Sequence, residues 1–195
     1  MSFKKPDEQD VIYFTQLLGD AYVLLDKEDL APYSKDYTED LSFYPDVVLK
    51  PATTQDVSAI LSYCNKQQIA VTPRGAGTGL SGGALPVKGG ISLSMERFKK
   101  ILKIDERNFQ VIVEPGVINE ALQNAVKEKG LFYPPDPASK GSCFLGGNIA
   151  HSSGGPRAVK YGTTRDYVLN LEVVLADGSI IETGANTLKY STGYN

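Results

Sequence analysis

The feature that most constrains this chain is the tract Pro73-Arg-Gly-Ala-Gly-Thr-Gly-Leu-Ser-Gly-Gly83, which sets five glycines in eleven residues directly after an apolar, β-branched run. Glycine lets the main chain take positive φ and aim successive N–H groups at one anion, while Thr78 and Ser81 add hydroxyl donors. Such a concentration of donors suits a pyrophosphate, and it exceeds what a surface turn needs. A dinucleotide fingerprint of the Gly-x-Gly-x-x-Gly type would open a helix. Here Gly75, Gly77 and Gly79 alternate instead, and the following Ala84-Leu-Pro-Val-Lys-Gly-Gly90 is a poor helix former. No Gly-Lys-Ser/Thr follows either, so a Walker-type loop fails as well.

The flanking periodicity explains why the loop sits where it does. Val47-Val48-Leu49 reads as a strand, and Thr53 or Thr54 caps a helix with Val57, Ile60, Leu61 and Cys64 on one face. Residues 69–72 then read as a second strand, and strand, helix and strand over so short a span predict a parallel crossover unit. Upstream, residues 7–18 carry Val11, Phe14, Leu17 and Leu18 at helical spacing, with Gly19 at the stop position. Residues 27–43 show no periodicity and predict an irregular lead-in, in which Tyr33, Tyr37 and, just beyond, Tyr44 read as half-buried packing residues. Downstream, residues 91–94, 101–104 and 110–113 predict a three-stranded meander. A helix follows over residues 118–129, with Leu122, Ala125 and Val126 inward and Gly130 ending it. Residues 167–176 predict a long strand joined by Asp177-Gly178 to a partner at residues 179–182.

A second tract, residues 134–156, combines rigid prolines with two Gly-Gly pairs, and a coil this long inside a compact domain is more often functional than idle. Two such loops on one sheet point to a single elongated ligand lying between them. Composition excludes other classes. With 42% apolar and 22% charged residues the chain is globular, and a net charge of −3 leaves no footprint for a nucleic acid. Cys64 and Cys143 stand far apart in no Cys-x-x-Cys pair, which argues against zinc or a disulfide framework and for a reducing cytoplasm. The N-terminus lacks the apolar centre of a signal peptide, and no run approaches the ~20 apolar residues of a membrane span. No metal site is expected.

Four ordered motifs now carry a resemblance: PRGAGTGLSGGALP, the EPGV at residues 114–117, PPDPASKGSCFLGGNIAHSSGGP, and KYGTTRDYVLNLEVVLADG at residues 160–178. Together they resemble the FAD-linked oxidases with a PCMH-type domain, the group that holds glycolate oxidase, D-lactate dehydrogenase and D-2-hydroxyglutarate dehydrogenase. The resemblance implies an α+β fold, a vanillyl-alcohol-oxidase-like FAD-binding domain of two α/β subdomains that is incomplete at its C-terminal end. The expected division is a lead-in over residues 1–43 and the FAD domain over residues 44–195, its small subdomain at about 44–104 and its larger one at about 105–195. FAD would extend between the subdomains, held noncovalently. Its pyrophosphate would lie on Arg74, Gly75, Ala76, Gly77, Thr78, Gly79 and Ser81. Similarity places Pro115, Gly116, Asp136, Ser139, Gly146, Gly147, Ser153, Gly154, Tyr161, Gly162 and Val168 along the rest of the cofactor.

The group oxidises 2-hydroxy acids by hydride transfer to flavin N5, with a histidine-bearing C-terminal domain supplying the base. That domain and the strand expected after Thr192-Gly193-Tyr194 are missing from these residues, so the sequence reads as a truncated product or a piece of a longer chain, inactive alone and without a catalytic residue of its own. The alternatives are an FAD-binding electron-relay module of a multi-subunit dehydrogenase, with an iron–sulfur or other electron-acceptor subunit as partner, and an inactive remnant. His151 departs from the group, which has a small or amide residue there; it reads as a solvated loop histidine rather than a flavin-tuning or covalently linked one.

Overall fold

The computed structural model of the chain describes residues 3–185 and 187. The expectations for Thr192, Gly193 and Tyr194 lie outside the described residues. Two compact units emerge, one from the segment up to Arg97 with Val173–Ile181, the other from Phe98–Glu172 with the segment from Glu182 onward.

The first unit opens with helix α1 (Glu8–Leu18), started by a capping box between Asp7 and Asp10 and ended at Gly19. Strand β1 (Val23–Leu24), the single-turn helix α2 (Lys27–Leu30) and strand β2 (Val47–Leu49) follow, β1 pairing antiparallel with β2. That pairing joins the expected lead-in to the sheet, so it is part of the unit rather than a preface to it. Helix α3 (Thr54–Gln67) has Thr53 as its N-cap, reciprocated by Asp56, a cap worth about 1 kcal/mol. It buries Val57, Ile60 and Cys64 of the expected stripe and leaves Leu61 half-buried. Strand β3 (Val71–Arg74) begins two residues later than the apolar run predicts, because Ile69 instead bridges Lys4.

Strand β4 (Ile91–Ser94) does not join the predicted meander. It pairs in parallel with both β2 and β3, giving the order β1-β2-β4-β3. A central parallel strand is covered on both faces, and all four residues of β4 are buried, which is why it lacks alternation.

In the second unit β5 (Ile101–Asp105) and β6 (Gln110–Val113) form an antiparallel pair, interrupted by an irregularity between Ile101 and Lys103. Helix α4 (Asn119–Lys127) sets Leu122 and Val126 against Val117 and Leu145, with Ile101, Ile104, Val111 and Val113 packed around them. The glycine-rich tract expected as coil holds helix α5 (Leu145–His151), and α6 (Ala158–Tyr161) follows it. The long final strand is likewise shorter than predicted. Residues Thr164–Tyr167 form a 3₁₀ turn, leaving β7 (Glu172–Val174) to pair with β8 (Ile180–Glu182) across the expected Asp177-Gly178 turn. Among the described residues, no helix is long and apolar enough to cross a membrane.

Candidate cofactor site

The glycine loop leaves the sheet at Arg74, the last residue of β3. Among the described residues, none of the main-chain N–H groups of residues 75–84 donates to a protein acceptor. Their carbonyls are partly used: Gly79 accepts from Tyr37 N at 3.1 Å and Gly82 from Leu85 N at 3.1 Å. Buried or half-buried N–H groups without partners are uncommon. Gly75, Ala76, Gly77, Thr78 and Gly79 are all at least half-buried, while Ser81 is exposed. Gly77 takes φ +71°, and an added Cβ would run into Arg74 Nη2. A run of main-chain donors without protein acceptors, with glycine where the backbone takes a positive φ, fits a diphosphate.

Arg74, expected at the anion, has its guanidinium against Gly77 of the loop and reaches back to the lead-in. Its guanidinium lies under the loop, Nη2 donating to the carbonyls of Pro32 at 2.9 Å and Lys35 at 2.8 Å, with Cζ 5.5 Å from the centre of the Tyr33 ring. The residue is 7% exposed and Nη1 has no partner. Burial lowers the guanidinium's pKa, offset in part by Asp36, Tyr33 and Glu96.

Beside it Glu96 accepts from Tyr33 Oη at 2.7 Å and Ser94 Oγ at 3.0 Å and pairs with Lys50 at 2.7 Å. Burial raises the Glu96 carboxyl, but Lys50 and Tyr33 outweigh it and the group titrates below its ordinary range. A depressed carboxylate contributes stability at neutral pH that is lost as pH falls through its lowered value. Tyr33 is therefore a network residue as well as a packing one. Tyr37 and Tyr44, expected to be half-buried, are exposed at 69% and 44%, Tyr44 with the Lys27 ammonium 5.9 Å from its ring centre.

In the second unit the site residues are organised by packing. Pro115 accepts from Gly146 N at 2.8 Å, and Gly116 is buried beside it. The N-terminal end of α5 is thus fixed against residues 115–117, with Leu145 N on Val117 O at 2.9 Å. Asp136 is buried and bound to Lys140 at 3.0 Å and Arg157 at 3.4 Å. The Lys140 bond, with Arg157 nearby, holds its carboxyl below the usual range. The Ser139 carbonyl accepts from Ser142 and Cys143, each at 2.8 Å. Ser153 links α5 to the 3₁₀ turn, its carbonyl accepting Thr164 N at 3.0 Å and Thr164 Oγ1 at 2.7 Å. Gly154 is half-buried next to it, and Gly147 has no neighbour within 4 Å of an added Cβ. Tyr161, 38% exposed, ends α6 against the Phe132 ring, and Gly162 turns beyond it at φ +82°. Val168 is half-buried after the turn.

Residues missed by sequence reasoning supply much of this order. Asn119, fully buried, donates from Nδ2 to Pro135 O at 3.1 Å and accepts from Asn148 Nδ2 at 3.1 Å, while Gln123 Nε2 reaches the same Pro135 carbonyl at 2.8 Å. The signal was present: Asn119 shares the buried face of α4 with Leu122 and Val126, where a polar residue needs fixed partners. His151 is exposed at the end of α5. Cys64 and Cys143 are buried free thiols, and burial pushes the Cys64 thiol up to about 12, which makes it unreactive. Among the described residues no cluster could hold a metal ion.

The family model described as an FAD binding domain matches residues 45–184. The chain belongs to the FAD binding domain family. This FAD-binding domain is 48% identical over 163 residues to "Glycolate oxidase subunit GlcD" of Bacillus subtilis (strain 168), covering 84% of this chain and 35% of that one. It is 43% identical over 167 residues to a D-lactate dehydrogenase of Anaerostipes hadrus, covering 83% of this chain and 35% of the relative. The chain thus spans about a third of the length of these relatives. Among solved structures, p-cresol methylhydroxylase with substrate bound matches with a TM-score of 0.77 at 30% identity over 89% of this chain and 34% of that one. An alkyldihydroxyacetonephosphate synthase reaches a TM-score of 0.83 at 21% identity over 94% of this chain and 35% of that one, which shows the shared fold. The expected α+β, PCMH-type FAD-binding fold is the one found.

Proposed function

We infer that the chain is the FAD-binding portion of an oxidoreductase that oxidises a 2-hydroxy acid of the glycolate or D-lactate kind. The observation that carries this reading is the unpartnered run of main-chain donors in residues 75–84, in a chain similar to 2-hydroxy-acid dehydrogenases. In this reading Gly75, Ala76, Gly77, Thr78, Gly79 and Ser81 bind the diphosphate through N–H and hydroxyl groups. Pro115, Gly116, Asp136, Ser139, Gly146, Gly147, Ser153, Gly154, Tyr161, Gly162 and Val168 line the rest of the cofactor. Arg74 serves the loop through its fold position. FAD, when bound, supplies the two-electron acceptor for hydride from the hydroxyl-bearing carbon. These residues bind and orient; none is assigned as acid or base.

Noncovalent binding is supported by the first loop, which has neither histidine nor cysteine, and by Cys143, which is buried with Asn148 Nδ2 at 3.4 Å. Two buried free thiols support a reducing, cytoplasmic setting. A second reading, an FAD-binding module that relays electrons to an iron–sulfur or other acceptor protein, draws on the relative described as one component of glycolate oxidase. Titration of the folded chain with FAD tests the shared claim. Saturable binding, with yellow colour released by acid, is expected, and a folded, colourless chain without affinity would overturn it. A dye-linked assay with glycolate or D-lactate, with and without added subunits, separates the two readings.

A further inference from the structure

The matched FAD-binding residues begin at 45, yet the glycine loop is braced by residues upstream of them. Arg74 takes both of its carbonyl acceptors from the lead-in, at Pro32 and Lys35, and the loop carbonyl of Gly79 takes its donor from Tyr37 N. The Tyr33 ring closes the other side of the guanidinium and is fixed by Glu96. Asp36, whose Oδ2 is buried without a partner, faces the same cation electrostatically and bonds Thr38 through Oδ1. Nη2 and Cζ occupy the space a Cβ on Gly77 would take, and Nη2 is committed to the two lead-in carbonyls, while Nη1 is buried without a protein partner.

We propose that Arg74 is a positioning residue, which, with lead-in residues 32–37, presets the diphosphate loop from behind instead of contacting the anion. The proposal rests on the reading that the loop holds a diphosphate. Preorganised donors bind better than donors that must be ordered on binding, so the brace acts on affinity. One nitrogen, Nη2, reaches both carbonyls while the planar guanidinium lies by the Tyr33 ring, and a lysine ammonium on a flexible stem lacks that plane and its fixed donor directions.

The test compares the full wild-type chain with Arg74→Lys, Arg74→Met and Tyr37→Pro, the last removing the N–H that Gly79 uses. Two readouts are taken: affinity for FAD and for ADP across a salt series, and chymotryptic cleavage after Leu80, which is 74% exposed on the loop. Both Arg74 variants are expected to weaken FAD and ADP by a similar factor, about tenfold, with the slope of affinity against salt unchanged. All three variants are expected to speed cleavage after Leu80 without added ligand. Wild-type affinity in Arg74→Lys with a flatter salt slope in Arg74→Met would make the side chain a direct anion contact and overturn the proposal. Unaltered cleavage in Tyr37→Pro and the Arg74 variants would overturn the brace itself. If the wild-type chain binds no FAD, the functional reading fails, while the cleavage rates still decide whether the lead-in holds the loop.

Discussion

The two glycine-rich tracts, residues 73–83 and 134–156, each hold five glycines and use them in opposite ways. In residues 75–84 no main-chain N–H has a protein acceptor among the described residues, and the segment is held by its neighbours: Arg74 below it, Tyr37 on its carbonyl side. In residues 134–156 the main chain is largely committed internally, through the turn on Ser139, the bonds of Leu145 and Gly146 to residues 115–117, and helix α5. There the glycines allow close packing. An added Cβ on Gly146 would lie 2.8 Å from Pro115 Cβ, and one on Gly155 would overlap Asp136 O. The presence of glycines alone therefore does not separate a run of open donors from a packing joint; the fate of the N–H groups does.

This contrast is sharpest at Gly155, where the largest effect is expected. Gly155→Ala combines φ +129° with a clash against main-chain atoms of Asp136 and Pro137, which cannot rotate away. The cost is expected to be about 3 kcal/mol or more, read by denaturant unfolding. A loss below about 0.5 kcal/mol, the range of an ordinary surface change, would show that the second tract is not packing-limited.

Gly77→Ala tests the other loop, and there the effect is expected to fall on binding more than on folding. The methyl group would meet the end of the Arg74 side chain, which can yield only by giving up Pro32 and Lys35. With the left-handed φ, a stability loss of about 1–2 kcal/mol is expected. The accompanying fall in FAD affinity is expected to be about tenfold or greater, by fluorescence titration. Unchanged affinity at that stability loss would mean that the cradle tolerates displacement, and the comparison between the tracts would lose its functional half.

Much of this was legible beforehand, for identifiable reasons. The apolar stripe of α3, of which Val57, Ile60 and Cys64 are buried and Leu61 half-buried, the threonine cap and the Asp177-Gly178 turn are local signals, and the structure has each of them. The neighbours of strand β4 are not legible in the sequence because pairing partners are not local: a buried four-residue run gives no sign of parallel insertion between β2 and β3. Helix α5 is hidden by the poor helix propensity of Gly146 and Gly147, which packing against Pro115 and Val117 overrides. At the candidate site the motif marks the glycine loop but not the direction of Arg74. That direction depends on carbonyls at Pro32 and Lys35, about forty residues away in sequence, in a stretch with no periodicity of its own.

The smallest expected effect separates the two uses of glycine within one tract. Gly147 is inside α5 and would gain a methyl group with nothing within 4 Å of it. On folding grounds alone Gly147→Ala is expected to stabilise the chain by about 0.5–1 kcal/mol, because alanine loses less backbone entropy in a helix. If Gly147 also lies against the cofactor, as the family resemblance implies, the same methyl group costs FAD affinity while the melting temperature rises. A variant that is both more stable and weaker in binding would assign Gly147 to the ligand and leave its neighbour Gly146 to packing. A variant with raised stability and unaltered affinity would return both glycines of the pair to structure, leaving the donors of residues 75–84 as the tract whose glycines serve the ligand.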